Sequence, residues 1–322
     1  MRIAIIGAGF AGLSCAEELV LAGHQAVLLD KGRGPGGRMS TRRITTVCGE
    51  ASFDHGAPYF TARDRTFRQA VAAWERRGLV QPWPIGGLEA WVGVPSMNAV
   101  VKDMASRQDV RWNTFAQGLV REGGLWSVAT DTGLHGPFEA VMVATPAEQA
   151  APLLSLHDLE MARAASLAKS KPVWSGAFVF ADPLQTPLGL FRDRGIIALG
   201  VANRIKPHRA SAECWVVHAD SQWSTDHLER PAPEIAAALL DAFFQALELP
   251  RVAPVEAVTH RWRYAFPPES SLKSLWNPTL GLGACGDWLL GPRAECAWLS
   301  GRSLARAVLS RSFASVSSRP AS

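Results

Sequence analysis

The sequence lacks the features of several common protein classes. None of its apolar runs approaches the ~18 residues of a membrane-spanning helix. The first apolar strand is predicted from residue 2 onward, which leaves no room for a signal peptide. The five cysteines are an odd number and contain no CxxC pair, a usage that favours free thiols in a reducing compartment. We therefore expect a cytoplasmic protein without a membrane anchor.

Other absences narrow the chemistry. The eight histidines form no HExxH motif and the cysteines show no zinc spacing, so we expect no metal site. No GxSxG nucleophile elbow is present. The net charge is only +4, and no cluster of Lys and Arg has interleaved aromatic residues, so we expect no nucleic-acid partner. Tryptophan, by contrast, is abundant: its 12 residues should fill the core, although some could line an aromatic pocket.

The strongest motif stands at the start of the chain. An apolar strand runs into GAGFAG at residues 7–12, and an amphipathic helix and a second apolar strand follow, the latter ending on Asp30. This is the dinucleotide-binding fingerprint in its usual context. Gly7 allows the tight turn, Gly9 lets a pyrophosphate approach the backbone, and Gly12 lets helix and strand pack closely. The helix N-terminus would face the phosphates, and Asp30 a ribose diol. A glycine-rich turn without a ligand is the alternative.

The next segment indicates which dinucleotide is bound. Residues 31–43 contain four glycines and four arginines, where a nicotinamide dehydrogenase would normally begin its next helix. Glycines permit close approach of the backbone to a ligand, and arginines match phosphate oxygens bidentately. A flexible basic loop on a basic surface is the alternative interpretation.

The remaining pattern predicts an α/β fold with an added α+β layer. The continuous apolar run at 139–144 is typical of a strand buried on both faces. From about 171 to 266, β-forming segments alternate with one long helical stretch at 233–247, which predicts a largely antiparallel layer. A last helix is expected over about 295–309. With 322 residues, the chain should form one large domain or two closely joined ones.

Seven short segments between about residue 1 and about 305 form a distinctive set. They are Asp30-Lys31, GGRMS at 36–40, GAPYFTARD at 56–64, VPSM at 94–97, HRWRYA at 260–265, GDW at 286–288 and AWLSG at 297–301. Together they resemble segments of the renalase-like flavoproteins, particularly the bacterial ones, within the flavin amine oxidase superfamily.

The resemblance implies a Rossmann-like domain that binds FAD without a covalent link. We expect this domain to comprise residues 1–62, 95–155 and 276–312, with the strand at 139–144 closing its sheet. An inserted, largely antiparallel substrate domain would comprise 63–94 and 156–275, and 313–322 would be a disordered tail. The active site is expected where the two domains meet.

The matched motifs also imply individual contacts. The ADP half of FAD would be held by Gly7, Gly9, Gly12 and Asp30. The other expected cofactor contacts are Ala8, Ala11, Lys31, Gly37, Arg38, Met39, His55, Gly56, Ala57, Val120, Ala144, Gly286 and Asp287. Candidates for the walls of the substrate pocket are Tyr59, Trp262, Tyr264 and Trp288, although each could equally be a core residue. Arg261 and Arg263 share the strand face opposite Trp262, where they would meet substrate phosphates or water.

The resemblance further implies oxidation of isomeric dihydro forms of NAD(P) to NAD(P)⁺. A hydride would pass to flavin N5, and dioxygen would take the electrons and yield hydrogen peroxide. Because a nicotinamide ring regains aromaticity on losing a hydride, we expect no catalytic side chain: the flavin carries the chemistry.

Two alternatives stay open. An oxidase for a small amine usually has a lysine near flavin N5, but Lys169, Lys171 and Lys273 lie outside the matched motifs. A flavin-binding sensor without turnover is the second alternative.

The chain also departs from the family pattern. It has His55 where Met is common and Pro58 where Gln is common, and Pro58 removes a backbone N–H donor. Pro292 and Cys296 interrupt a stretch that is usually rich in glycine, so the substrate range could differ.

Overall fold

The structure, a computed structural model, describes residues 1–209 and 212–316. Its strands in chain order are β1 Arg2–Ile6, β2 Gln25–Leu29, β3 Arg42–Thr46, β4 Gly49–Phe53, β5 Phe60–Thr61, β6 Val80–Pro82, β7 Ala90–Gly93, β8 Asp109–Arg111, β9 Ala116–Glu122, β10 Leu125–Thr130, β11 Gly133–Phe138, β12 Ala140–Val143, β13 Lys171–Phe180, β14 Leu190–Arg194, β15 Ile197–Ala202, β16 Glu213–Ala219, β17 Glu256–Phe266, β18 Leu275–Asn277 and β19 Leu282–Ala284. Its helices are α1 Phe10–Leu21, α2 Arg65–Arg76, α3 Ala99–Ala105, α4 Ala147–Leu154, α5 Leu159–Leu167, α6 Ser221–Asp226, α7 Ala232–Leu247 and α8 Ala294–Val316. Short 3₁₀ turns lie at Gly37–Met39, Pro84–Gly86, Asn203–Ile205 and Asp287–Leu289.

The chain divides into two compact units. Unit 1 comprises Met1–Gly37, Val101–Ser170 and the C-terminal part from Pro267, and unit 2 comprises Arg38–Val100 and Lys171–Phe266. Among the described residues, no helix combines the length and the apolar character that crossing a bilayer would demand.

Unit 1 is built around a mainly parallel sheet with the strand order β18-β19-β12-β1-β2-β8. All four residues of β12 are buried, as its continuous apolar sequence predicts for a strand covered on both faces. A smaller antiparallel sheet, β11-β10-β9, contributes Trp126 and Phe138 to the same core. This arrangement is the Rossmann-like half of the expected fold.

Helix α8 packs directly against α1 in unit 1. A Cβ atom on Gly301 would overlap the carbonyl oxygen of Ala11, so only glycine permits this approach. The Ser14 hydroxyl donates to the carbonyl oxygen of Trp298 over 2.8 Å and joins the same two helices. The C-terminal helix thereby supports the first helix of the dinucleotide motif.

Unit 2 is built around an antiparallel sheet with the order β14-β15-β16-β13-β17. Successive residues of a strand point to opposite faces, and on β13 Phe178 and Val179 are both buried, each in a different core cluster. Phe178 packs with Phe243 of α7 on one face. On the other face, Val179 packs with Phe53 of the β3–β4 hairpin.

A buried ion cluster joins four segments of unit 2. The carboxylate of Asp54, which is fully buried, accepts hydrogen bonds from Lys206 Nζ at 2.9 Å and from the Arg209 guanidinium at 2.8 Å. It also accepts from the Thr41 hydroxyl at 2.7 Å and from the backbone N–H of Met97 at 3.1 Å. Burial alone would raise the pKa of Asp54, but the two cations outweigh burial and hold it well below its usual range.

The observed elements differ from the predicted ones at two places. The run at 139–144 does not close its sheet, since β19 and β18 lie beyond it. The last helix continues to Val316, which includes part of the predicted tail, and residues 317–322 lie outside the described residues.

The division into units also differs from the predicted domains. Residues 38–62 and 95–100, expected in the FAD-binding domain, belong to unit 2, whereas 156–170 and 267–275 belong to unit 1. The physical reason for the first difference lies in the β3–β4 hairpin. Its buried residues Ala51 and Phe53 pack against β13 and β16.

We predict that Asp54→Asn strongly destabilises the protein. The change leaves two buried cations without a counter-charge, and removing one partner of a buried ion pair typically costs about 3–5 kcal/mol. Urea unfolding at pH 7 measures the loss. Because the depressed pKa of Asp54 lies below its unfolded value, its stabilisation should hold at neutral pH and disappear only as the pH falls below the usual carboxylate range.

Glu89→Gln is the matched control, because it breaks an exposed ion pair in the same unit. Glu89 contacts Arg63 at 2.6 Å, and both side chains are about half exposed. Such a pair contributes roughly 0–1 kcal/mol. Equal losses in the two variants would contradict a special role for the Asp54 cluster.

Candidate functional site

The carboxyl ends of four parallel strands in unit 1 bring the dinucleotide motif together. Asp30 follows β2, Gly7 follows β1, Ala144 follows β12, and Gly286 comes two residues after β19. These strands are neighbours in the sheet in that order. Ligands of open parallel sheets bind at this edge. Predicted contact residues from distant parts of the sequence therefore lie side by side at one edge of the sheet.

The glycines of the motif show three different environments. Gly7 has a φ of 102°, as the predicted tight turn requires. A Cβ on Gly12 would overlap the carbonyl oxygen of Gly7, which accounts for the close packing of helix and strand. Gly9, in contrast, has no heavy atom within 4 Å of the position of a Cβ. The surface beside Gly9, at the N-terminus of α1, is therefore open to a phosphate group.

Asp30 orders the loops on both sides of it. Its carboxylate accepts hydrogen bonds from the backbone N–H of Ala8 at 2.7 Å and of Gly32 at 2.6 Å. Each carboxylate oxygen can accept more than one hydrogen bond. Asp30 therefore has the capacity to bind a ribose hydroxyl as well. Lys31 beside it is exposed, with its ammonium group 5.8 Å from the ring centre of Phe115.

The matched segment at 286–288 begins in a turn held by hydrogen bonds. The N–H of Gly286 donates to Ser300 Oγ at 2.9 Å, and this hydroxyl donates to the carbonyl oxygen of Lys273 at 2.6 Å. Asp287 is 5% exposed and is the first residue of the 3₁₀ turn Asp287–Leu289. Val120, another expected cofactor contact, lies on β9 of the sheet β11-β10-β9 and is 37% exposed.

Trp288 does not form a pocket wall, contrary to the sequence-based expectation. It is 2% exposed and belongs to the core cluster of unit 1. Its indole N–H donates to the carbonyl oxygen of Thr145 at 3.2 Å. The spacing of the motif places this side chain beneath the turn, where apolar packing determines its orientation.

In unit 2, two of the matched segments are in direct backbone contact. The carbonyl oxygen of Arg38 accepts from the N–H of Ala57 at 2.7 Å and would overlap a Cβ on Gly56. The Arg38 guanidinium donates to the carbonyl oxygens of Tyr264 and Ala265 at 3.4 and 3.2 Å. The Arg38 loop, the Gly56 segment and β17 thus form one assembly, and the buried Met39 lies within it.

Three rings gather at this assembly. The ring centres of His55 and Trp262 are 5.3 Å apart, and those of His260 and Trp262 are 4.3 Å apart. The indole N–H of Trp262 donates to the carbonyl oxygen of His55 at 2.8 Å. Tyr264, two residues further on β17, is half-buried. The aromatic face predicted for Trp262 is therefore shared with two histidines.

Sequence reasoning named His55 as a cofactor contact but gave no role to His218 or His260. His218 and His260 lie on either side of Ser175 across β16, β13 and β17, which places the three side chains in one row. Burial and then the neighbouring His260 lower the pKa of His55 to about 4, and burial and then Lys206 lower that of His218 to about 4. Both rings are therefore neutral at pH 7. The histidines are far apart in sequence, and only strand register relates them.

The charges of Arg261 and Arg263 are directed to a neighbouring acid. Arg261 contacts Glu229 at 2.7 Å, and Arg263 contacts both oxygens of Glu229 at 2.6 and 2.9 Å. The two arginines share one face and Trp262 the other, as predicted from strand alternation. The shared carboxylate offsets much of their charge, so we do not assign them to a substrate phosphate.

Tyr59 lies beside a separate aromatic and basic group in unit 2. Its ring centre is 5.4 Å from that of Trp83, and its hydroxyl accepts from the Arg192 guanidinium at 2.9 Å.

Of the lysines considered for amine chemistry, Lys171 is the exposed first residue of β13. Lys273 has a φ of 62°, and its backbone is held by Leu289 and Ser300. Within 1–209 and 212–316, no group of three or more His, Cys, Asp or Glu side chains is arranged to hold a metal.

Comparisons with known proteins identify the family of the chain. A family model for flavin containing amine oxidoreductases matches residues 78–309, and one for an NAD(P)-binding Rossmann-like domain matches residues 5–74. Since the first match spans more than half of the chain, the protein belongs to the flavin-containing amine oxidoreductase family. It is therefore a flavin-dependent oxidoreductase, which confirms the predicted enzyme class and the predicted fold class.

Individual relatives refine the comparison. The renalase of Mus musculus is 23% identical over 307 residues, which cover 82% of this chain and 84% of that protein. The protein is thus renalase-like within its superfamily. Cyclohexylamine oxidase from Brevibacterium oxydans IH-35A has a similar fold, with a TM-score of 0.71, 11% identity and coverage of 97% and 99% of the two chains. A protein of Exiguobacterium sp. 255-15, described provisionally as a protoporphyrinogen oxidase, gives a TM-score of 0.75, 12% identity and coverage of 96% and 99%.

We predict that Gly9→Val removes flavin binding but preserves the fold. The backbone at Gly9 is extended, with φ −77° and ψ −174°, and no heavy atom lies within 4 Å of the position of the added Cβ. The valine would instead occupy the space that we assign to the pyrophosphate. Flavin absorbance per protein should fall by at least about tenfold, while urea stability changes by only about 0.5 kcal/mol.

Gly118→Val on β9 is the control, because this glycine also has open space around its Cβ position. It should purify with the same flavin content as the wild type. Full flavin content in Gly9→Val would contradict the assignment of the phosphate position.

Proposed function

We propose that the protein binds FAD non-covalently and oxidises isomeric dihydro forms of NAD(P) to NAD(P)⁺, with dioxygen as the electron acceptor and hydrogen peroxide as the second product. The observation that carries the proposal is the contact among three renalase-like segments, residues 36–40, 56–64 and 260–265, where the rings of Trp262, His55 and His260 lie together. These segments are much more specific than the glycine motif.

The residues present fit FAD. The open surface at Gly9 would accept the pyrophosphate, and Asp30 the ribose of the adenosine half. Gly286 and Asp287, on the same sheet edge, would contact the ribityl–phosphate link. When bound, the flavin supplies a two-electron acceptor for the substrate and returns the electrons to dioxygen.

The side chains of unit 2 would orient a flat substrate ring. Trp262, His55 and His260 present aromatic surfaces, and stacking on such surfaces suits a nicotinamide ring. A dihydronicotinamide that loses a hydride becomes an aromatic pyridinium without losing a proton. The site therefore requires positioning groups rather than a general base, which agrees with the pKa values of His55 and His260, both lowered chiefly by burial. At neutral pH they introduce no charge beside the ring.

We expect the purified protein to be yellow with FAD that is held without a covalent bond. Cys285 and Cys296 flank the flavin-binding segment, but both are buried, and Cys296 contacts the Arg293 guanidinium at 3.5 Å. Acid precipitation should release all flavin into the supernatant, where mass spectrometry should identify FAD rather than FMN. Colour that stays in the pellet would demonstrate a covalent link.

The substrate proposal predicts a clear order of reductants. Under anaerobic conditions, isomeric dihydro-NAD(P) should bleach the flavin rapidly, whereas ordinary NADH and simple amines should act far more slowly. Stopped-flow absorbance with each reductant at equal concentration makes this comparison. Admission of oxygen should then restore the oxidised spectrum and produce one hydrogen peroxide for each substrate consumed.

The same experiment separates the other functions. Rapid bleaching by a monoamine, with none by the dihydro isomers, would establish an amine oxidase in place of our proposal. Bleaching by none of these compounds would contradict both oxidase proposals and favour a flavin-binding protein without turnover. Cyclohexylamine is a suitable amine probe, because a protein of similar fold is a cyclohexylamine oxidase.

A further inference from the structure

Arg192 differs from four other arginines of unit 2, which are paired with carboxylates. Arg261 and Arg263 are paired with Glu229, and Arg209 is paired with Asp54. Arg204 is likewise paired with Glu213. In the described part of the chain, Arg192 forms an ion pair with no carboxylate, although its side chain is held in place. It is therefore a fixed guanidinium whose charge the protein leaves uncompensated.

Neutral groups hold this guanidinium. Its Nη2 donates to the Tyr59 hydroxyl at 2.9 Å and to the carbonyl oxygen of Gly86 at 3.4 Å. Its central carbon lies 5.8 Å from the centre of the Tyr59 ring. Within the described residues, these contacts leave Nη1 and Nε of Arg192 without an acceptor. Each of these two nitrogens can donate a charge-assisted hydrogen bond to a phosphate oxygen.

The groups that hold Arg192 are themselves fixed. The ring centre of Trp83 is 5.4 Å from that of Tyr59, and its indole N–H donates to the carbonyl oxygen of Ile205 at 3.1 Å. Trp83 is 2% exposed, whereas Arg192 is an exposed residue. A rigid aromatic base thus presents the guanidinium to solvent, and little side-chain entropy remains to be lost when a ligand binds.

We infer that Arg192 recognises a phosphate of the substrate and so determines its specificity for nucleotides. This inference rests on the proposed function, because it takes Tyr59 as part of the substrate pocket. It adds a residue that nothing in the matched motifs indicates. An uncompensated cation attracts the anionic tail of a dihydronicotinamide nucleotide and repels a protonated amine. The same residue would therefore favour one substrate class and disfavour the other.

The test compares ligands with and without phosphate on the flavin-loaded protein. Titration calorimetry would measure the Kd of NAD⁺, of NADP⁺ and of nicotinamide riboside, which has no phosphate. In Arg192→Met, the ratio of the dinucleotide Kd to the riboside Kd should rise about ten- to hundredfold, the value of a charge-assisted hydrogen bond. Arg192→Lys keeps the charge but lacks the planar guanidinium, so the Kd ratio should rise by a smaller factor. The effect should weaken at high salt.

Arg194→Met is the matched control. Arg194 lies on the same strand, is also exposed, and lies 5.8 Å from the ring centre of Phe191. Its loss removes the same charge at a site away from Tyr59, so the Kd ratio should stay at the wild-type value. An equal rise in both variants would show a general charge effect and overturn the inference.

The remaining outcomes also decide the question. An unchanged ratio in Arg192→Met, in a protein whose flavin is bleached by dihydronicotinamides, would overturn the inference and leave the proposed function in place. An equal loss of riboside and dinucleotide affinity would show that Arg192 only supports Tyr59, and would likewise overturn it. A wild-type flavin that neither the dihydro dinucleotide nor the dihydro riboside bleaches would remove the proposed function and this inference together.

Discussion

The close approach of backbone to backbone at a few glycines is the constraint on which the candidate site residues within each unit depend. In unit 1, Gly12 brings α1 against the turn after β1, and Gly301 brings α8 against α1. In unit 2, Gly56 brings its segment against the carbonyl oxygen of Arg38. At each place a single methyl group would overlap a carbonyl oxygen. Gly9 differs from these glycines, because the space beside it is open. Gly12, Gly56 and Gly301 are thus required for packing, whereas we assign Gly9 to contact with a ligand.

In unit 2 several cations are paired with carboxylates, and the ring cluster stays neutral. Asp54 immediately precedes His55, and its carboxylate holds Lys206 and Arg209, so two cations share one anion in the interior. Lys206 in turn helps to lower the pKa of His218 after burial, the larger cause. A ring site that stays uncharged at neutral pH suits the departure of a hydride, which leaves a cationic product ring. A charged imidazolium beside that ring would oppose the reaction.

The sequence predicted local features well and long-range pairings poorly. The strand, glycine turn, helix and strand that end at Asp30 follow from periodicity and turn chemistry over thirty neighbouring residues, and the structure shows them as expected. Trp262 and the arginines beside it were assigned to opposite faces from strand alternation alone. By contrast, the pairing of Asp54 with Lys206 spans 152 positions, and the partner of Arg263 lies 34 positions away. The hydrophobic periodicity of the sequence carries no information about such long-range contacts. The burial of Trp288 was missed because a motif specifies a turn, whereas the packing beneath that turn depends on distant strands.

The pairing of Arg261 and Arg263 with Glu229 changes how substrate recognition is understood. Sequence alone makes these arginines, on a matched strand, the natural partners of a phosphate. Once one carboxylate is shared between them, binding a phosphate there would require either displacing Glu229 or placing two anions side by side. Arg192 meets neither obstacle, since only a phenol hydroxyl and a peptide carbonyl hold it. Formal charge in the sequence therefore does not locate an anion site. What locates it is the charge that remains after the protein's own carboxylates have been paired, and around Tyr59 that charge belongs to Arg192.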